Sequence, residues 1–203
     1  MKKILSLLAL TIAVFTLQSN TPPTPLPIGS KLPKMDLNME TAMGKSLSMK
    51  EVIGQKGILV MFSCNECPFV IKYQQRTLQI ANHAIGLGYG VILLNSNESL
   101  RKDGDGMEEM KKYAESQGYN FPYALDKNST LADAFGASRT PECFLFNKDL
   151  KLVYHGAIDD NASDEQEVKR KHLETALDED AAGKEVSVKE TKSVGCGIKR
   201  LQM

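Results

Sequence analysis

Two cysteines stand two residues apart in Cys64-Asn65-Glu66-Cys67, with Pro68 behind them and the apolar run Gly57-Ile58-Leu59-Val60-Met61 close in front. Thiols at this spacing can cycle between dithiol and disulfide or form half of a metal site. The context favours redox chemistry, because a buried strand leads into the pair and a helix leads out of it. Pro68 fits the first turn of that helix, where its missing N–H costs little. A sulfur at such a junction faces the positive end of the helix and its unpaired N–H groups, and both favour thiolate. On this reading Cys64 is the activated nucleophile, and Cys67, one turn further on, closes a local disulfide with it. Glu66 adds a carboxylate between the sulfurs, which opposes thiolate and predicts a more reducing pair than a cation would give there.

Two further cysteines lie far away in sequence. Cys143 sits in the apolar run Cys143-Phe144-Leu145-Phe146, where a small buried hydrophobe is the expected role. Cys196 lies between glycines in a polar segment, so resolving thiol, partner of Cys143 and free surface thiol are all open. His155 follows a strand-like run and would complete a Cys-Cys-His copper site with Cys64 and Cys67 if all three met. Asp103-Gly104-Asp105-Gly106 has too few acidic ligands for a calcium loop and reads as a turn and helix cap.

The elements that must position these residues alternate along the chain. Ile58–Phe62 and Val91–Leu94 are continuously apolar, as strands covered on both faces are. Between them Ile71, Gln74, Leu78, Ala81 and Ile85 fall at helical spacing and stop at Gly86 and Gly88. Asp105 and Glu108 have capping-box spacing for a helix to about residue 117, and a short strand at 121–125 and a short helix at 130–135 follow. Residues 143–146 and 151–156 read as a hairpin around a polar turn. Ser163 and Gln166 have the spacing of another capping box, which predicts a helix from there to near Gly183, with Glu165–Lys169 and Glu167–Lys171 paired along it.

The chain has 203 residues, with 25 basic and 25 acidic side chains. That balance offers no basic face for nucleic acid. It begins Met1-Lys2-Lys3, followed by an apolar and hydroxyl-bearing run to Leu17 and a Pro-rich exit, the parts of a secretory signal. The expected organisation is a signal peptide over 1–19, a linker over 20–30, one domain over 31–183 and a tail over 184–203. The protein is then exported, periplasmic or extracellular, and it meets a membrane only through an uncleaved signal.

Cys64-Asn65-Glu66-Cys67-Pro68 at the head of a long helix, with Thr140-Pro141 before a later strand, resembles the thioredoxin superfamily. The closer resemblance, over about residues 28–200, is to its peroxiredoxin-like, redoxin branch (alkyl hydroperoxide reductase C/thiol-specific antioxidant type). It is carried by the Cys64–Val70 stretch, by Arg139-Thr140-Pro141-Glu142 with the hairpin running to Asp160, and by Glu190–Lys199. The resemblance implies an α/β thioredoxin-like fold: a central mixed β-sheet flanked by helices, with a helix and strand inserted before the Thr-Pro loop. It also implies a cis Pro141 beside the cysteines, and no cofactor or resident metal. Two activities follow from it. In a thiol–disulfide oxidoreductase Cys64 attacks, Cys67 resolves, and Pro141 with its neighbours holds an extended partner chain. In a thiol peroxidase Cys67, at the end of the family's Thr-x-x-Cys-Pro element, is peroxidatic and Arg139 activates it; here Cys64 replaces the Thr. A copper chaperone on the same fold is a third reading. The implied partners are protein or small-molecule disulfides, or peroxides, and an unidentified electron donor.

Overall fold

The computed structural model describes residues 23–201, so the expected signal peptide lies outside the described residues. In chain order the elements are β1 (Met39–Glu40), β2 (Ser46–Leu47), α1 (Met49–Val52), β3 (Gly57–Ser63), α2 (Pro68–Leu87), β4 (Tyr89–Asn95), α3 (Met107–Ser116), β5 (Tyr123–Leu125), α4 (Thr130–Phe135), β6 (Arg139–Thr140), β7 (Glu142–Phe146), β8 (Leu152–Gly156), α5 (His172–Ala181) and β9 (Cys196–Gly197). The β1–β2 hairpin and α1 carry no signal read from the sequence.

Five strands form the central sheet in the order β5-β4-β3-β7-β8. β3, β4 and β5 run parallel, and β7 and β8 are antiparallel to their neighbours, which makes the sheet mixed as expected. Alternate side chains of β3 leave on opposite faces, as the pleat requires. Leu59 and Met61 join a core with residues of α2, α3 and α5, while Ile58, Val60 and Phe62 join one with residues of α1 and α4. This two-sided burial explains why the central strands are apolar without alternation. Gly88 ends α2 in the left-handed conformation (φ 95°), its N–H bonding to the carbonyls of Ala84 and Ile85. Arg76 anchors α2 to the segment after β8 through a buried ion pair with Asp159 (2.6 Å), which also accepts the Tyr73 hydroxyl (2.8 Å). Among the described residues no helix is long and apolar enough to cross a membrane.

Two helix starts differ from expectation. α3 is capped by Gly106, because Asp105 is buried and its carboxylate is used elsewhere. The helix expected from Ser163 begins only at His172. The Asn161 side chain accepts the N–H groups of Ser163 and Asp164, and Asp164 accepts that of Gln166, so the backbone turns on side chains instead of coiling. In place of the expected Glu165–Lys169 and Glu167–Lys171 pairs, Lys171, the N-cap residue of α5, pairs with Glu174.

Residues 184–201, expected as a loose polar tail, run as a strap across one end of the molecule. Thr191 is bonded to the backbone of His155 and Ala157 and to the Tyr154 hydroxyl. A Cβ on Gly156 would lie 2.1 Å from Thr191 Oγ1, so only glycine lets the strap lie this close. Further on, β9 pairs with β6, Lys199 bonds to Ser99 and Asn97, and Arg200 reaches Asp133 and the Ala137 carbonyl.

Candidate active site

The cysteine turn is fixed from behind by a buried polar network at the ends of β4 and β5. Asp105 accepts the Asn65 N–H (2.8 Å), the Asn95 side-chain amide (2.7 Å) and the Asn97 side-chain amide (2.7 Å). Asn65 donates to the Gly104 carbonyl (2.7 Å) and accepts the Tyr123 hydroxyl (2.8 Å). Sequence reasoning reads Asp105 only as a turn and helix cap and does not single out Asn95 or Tyr123. The pattern that gives them away is a buried aspartate in an apparent surface turn, which only the fold reveals.

Cys64 leaves the end of β3, and Cys67, not Cys64, is the N-cap residue of α2. Both are buried, with 1% and 5% of their surface exposed. The Cys67 thiol lies 2.6 Å from the Cys196 sulfur and 3.2 Å from the Thr140 carbonyl and can donate to either. Its pKa is held down at about 4, by the neighbouring Cys64 first and by Cys196 and nearby backbone after it, against the opposing effect of burial. The Thr140 carbonyl acts in the same sense as burial and favours a protonated Cys67. Cys64 shifts the other way, because donating to Cys67 and burial both disfavour its charge. The Thr140 hydroxyl at 3.3 Å and the Asp105 carboxylate act on Cys64 in opposite senses. The helix terminus therefore falls at Cys67, three residues beyond the Cys64 position that the sequence suggests.

Thr140-Pro141 is a cis peptide bond, and Thr140 touches both Cys64 and Cys67, as the resemblance implies. Cys196 of β9 lies opposite Thr140, its sulfur 2.6 Å from that of Cys67. Cys196 itself is pushed up to about 11, by burial first and by Cys67 second.

The remaining candidates are placed away from the sulfurs. Arg139 is exposed and donates to the Gly195 carbonyl (3.0 Å), so it holds the strap. Glu66 is exposed, with its carboxylate over Gly104, and the carboxylate that raises Cys64 is Asp105. Cys143 is fully buried in the sheet, where burial raises its thiol well above the usual range. His155 is bonded to Glu142 (2.7 Å) and tilted against Phe144, so it does not complete a site with the cysteines.

Residues 27–177 match the family model described as Redoxin. A hypothetical protein from Sinorhizobium meliloti 1021 is 30% identical with a TM-score of 0.79, covering 88% of this chain and 97% of its own. An uncharacterized conserved protein from Geobacillus kaustophilus is 33% identical with a TM-score of 0.80, covering 87% of this chain and 94% of its own. At the level of fold alone, a cysteine-to-serine mutant of PrxQ from Xylella fastidiosa is similar, at 14% identity and a TM-score of 0.54, covering 65% of this chain and 86% of its own. No curated protein matches the chain by sequence. With the mixed sheet, the cis Thr-Pro loop and the cysteine turn in place, the chain belongs to the redoxin family, oxidoreductases on a thioredoxin-like fold.

Proposed function

We propose that the chain carries out thiol–disulfide exchange, with Cys67 as the attacking sulfur. The observation that carries this reading is the seat of Cys67 as the N-cap residue of α2, with the Cys196 sulfur 2.6 Å away and the Thr140 backbone beside it. A sulfur so placed is a thiolate at neutral pH, the form that attacks a disulfide. In the first step the Cys67 thiolate bonds to one sulfur of an external disulfide, the S–S bond breaks, and the other sulfur leaves as a thiolate that takes a proton from solvent. A second protein thiol then attacks Cys67 and releases the remaining sulfur. The chain is left as an internal disulfide, to be reduced by a thiol donor. Thr140, beside the cis proline, offers backbone against which an extended partner chain can pair.

A second reading, thiol peroxidase with Cys67 peroxidatic, is favoured by the same low-pKa sulfur next to Pro68. Breaking a peroxide's O–O bond requires stabilising the departing hydroxide. Arg139, the cation expected for that task, is exposed and engaged with the Gly195 carbonyl. Disulfide exchange needs no such group. The copper reading has lost its third ligand, His155, to Glu142. Export belongs to the proposal and rests on the N-terminal sequence; the mass of the mature protein recovered from the cell envelope or medium tests it.

The deciding experiment compares, by stopped flow, the rates at which the reduced protein consumes hydrogen peroxide and oxidised glutathione, with a sulfenic-acid trap present. Exchange that is lost in Cys67→Ser, with peroxide consumed no faster than by a free thiol, is the expected result. Rapid peroxide consumption with the trap on Cys67 would replace the reading with the peroxidase.

A further inference from the structure

Three thiols meet at this site, and the spacing of Cys64 and Cys67 alone does not say which of the others resolves Cys67. The strap supplies the answer. β9 lies antiparallel on β6 with Cys196 directly opposite Thr140, the edge on which a partner chain would pair. That edge is occupied by the chain itself. Arg139 holds the Gly195 carbonyl, and the Ile198 N–H bonds to the Ser138 carbonyl (3.0 Å), so both sides of Cys196 are fixed. Gly195 passes so close that a Cβ there would lie 2.1 Å from the Thr140 carbonyl oxygen. The pairing delivers the Cys196 sulfur to 2.6 Å from Cys67, well inside ordinary non-bonded contact at about 3.5–4.0 Å. Cys64, by contrast, is the most buried of the three, and its thiol is engaged with Cys67 and the Thr140 hydroxyl.

We propose that Cys196 is the resolving cysteine, carried by a strap that occupies the partner-docking edge, so that the oxidised protein holds a Cys67–Cys196 disulfide. The proposal rests on Cys67 being the attacking sulfur. The strap unpairs from Thr140 to admit an external disulfide, and Cys67 forms the mixed disulfide. The strap then returns to the same edge, which expels the partner strand as it brings Cys196 back. Cys196 gives its proton to solvent, and its sulfur bonds to Cys67 Sγ. The bond from Cys67 to the partner breaks, and the partner leaves as a thiolate that is protonated in turn. Two thiols are oxidised and one external disulfide is reduced to two thiols. Part of what raises Cys196 is the sulfur it faces, which carries no charge in the mixed disulfide, while Lys199 continues to favour the thiolate. Cys64 stays buried against the Thr140 hydroxyl.

The test uses the full mature chain, reduced and then treated with oxidised glutathione, quenched in acid and alkylated, with disulfides mapped by mass spectrometry after non-reducing digestion. The expected product is a Cys67–Cys196 crosslink with Cys64 and Cys143 alkylated. Cys64→Ser should still form it. Cys196→Ser should accumulate glutathione on Cys67, the mixed disulfide lasting about tenfold longer or more. Gly195→Val, which keeps all four thiols but cannot seat the strap, should show the same defect. A predominant Cys64–Cys67 crosslink, or a stable glutathione adduct on Cys67 in the wild type, overturns the resolving role and leaves exchange at Cys67 intact. A Cys67 that stays free of glutathione and of crosslinks overturns both readings at once.

Discussion

Three sulfurs meet at one helix terminus, and their contacts bear on which of them is charged. Cys64 first, and Cys196 and nearby backbone after it, hold the Cys67 pKa down, so its thiolate is favoured down to about pH 4. Alkylation of Cys67 by iodoacetamide should therefore be nearly constant from pH 6 to 8, which is about the neutral range in which an ordinary thiol of pKa about 8.5 still gains rate steeply. It should fall only as pH drops towards 4; a midpoint between 8 and 9, about that of a free thiol, would sink the assignment. Because the Cys64 bond counts most, Cys64→Ala should raise the midpoint by about 1–3 units, while Cys64→Ser, which keeps an O–H donor, should raise it less. The sign for stability follows from the same shift. The folded pKa is depressed from 9.0, so the thiolate stabilises the reduced fold fully above about pH 9 and progressively less as pH falls towards about 4. Replacing Cys67 with serine should flatten that part of the stability profile, as read by urea unfolding at a series of pH values.

Elements differ in how far the sequence alone discloses them, and the difference follows the range of the interactions that hold them. β3 and β4 are legible because both faces of the sheet are covered, which leaves an unbroken apolar run. α2 is legible because its buried stripe repeats at helical spacing and ends at Gly88. The residues 163–171 mislead because Asn161 and Asp164 satisfy locally the N–H groups that a helix would otherwise expose. At the site, Cys64, Cys67, Thr140 and Pro141 are legible from motif and resemblance. The place of Cys196 is not, since it depends on a pairing across 129 residues of chain, and neither is that of Asp105, 40 residues from the Asn65 N–H it accepts. Asp105 also carries the most testable consequence at this scale. Asp105→Ala leaves the donors of Asn65, Asn95 and Asn97 without their acceptor in a buried setting, and should cost roughly 3 kcal/mol of unfolding free energy. A loss below about 0.5 kcal/mol, typical of surface changes, would mean that water replaces the carboxylate and that the network does not brace the cysteine turn.

For the whole molecule, the choice of disulfide decides how much of the chain is crosslinked. A Cys67–Cys196 bond closes a loop of 129 residues, from the head of α2 to the strap, and encloses α2, the inserted α3 and β5, and the β7–β8 hairpin. In the chain-entropy view such a loop stabilises by about 5 kcal/mol, whereas the short Cys64–Cys67 loop gives about 2 kcal/mol. The reduced form has an opposing advantage, the Cys67 thiolate, which grows as pH rises above about 4. The stability gap between oxidised and reduced protein should therefore be widest near pH 4, about 5 kcal/mol by urea unfolding, and should narrow steadily towards neutrality. Cys196→Ser should remove most of the acid-side gap, and Cys64→Ser should leave it in place. A gap near 2 kcal/mol that survives Cys196→Ser would point to the short loop instead. The narrowing bears on the direction of the chemistry. Whatever stabilises the reduced form at neutral pH makes the disulfide a better oxidant, so the shift at Cys67 opposes the more reducing pair that Glu66 predicts in the sequence. With the Glu66 carboxylate over Gly104 and Cys67 at the N-cap of α2, the helix terminus sets that balance.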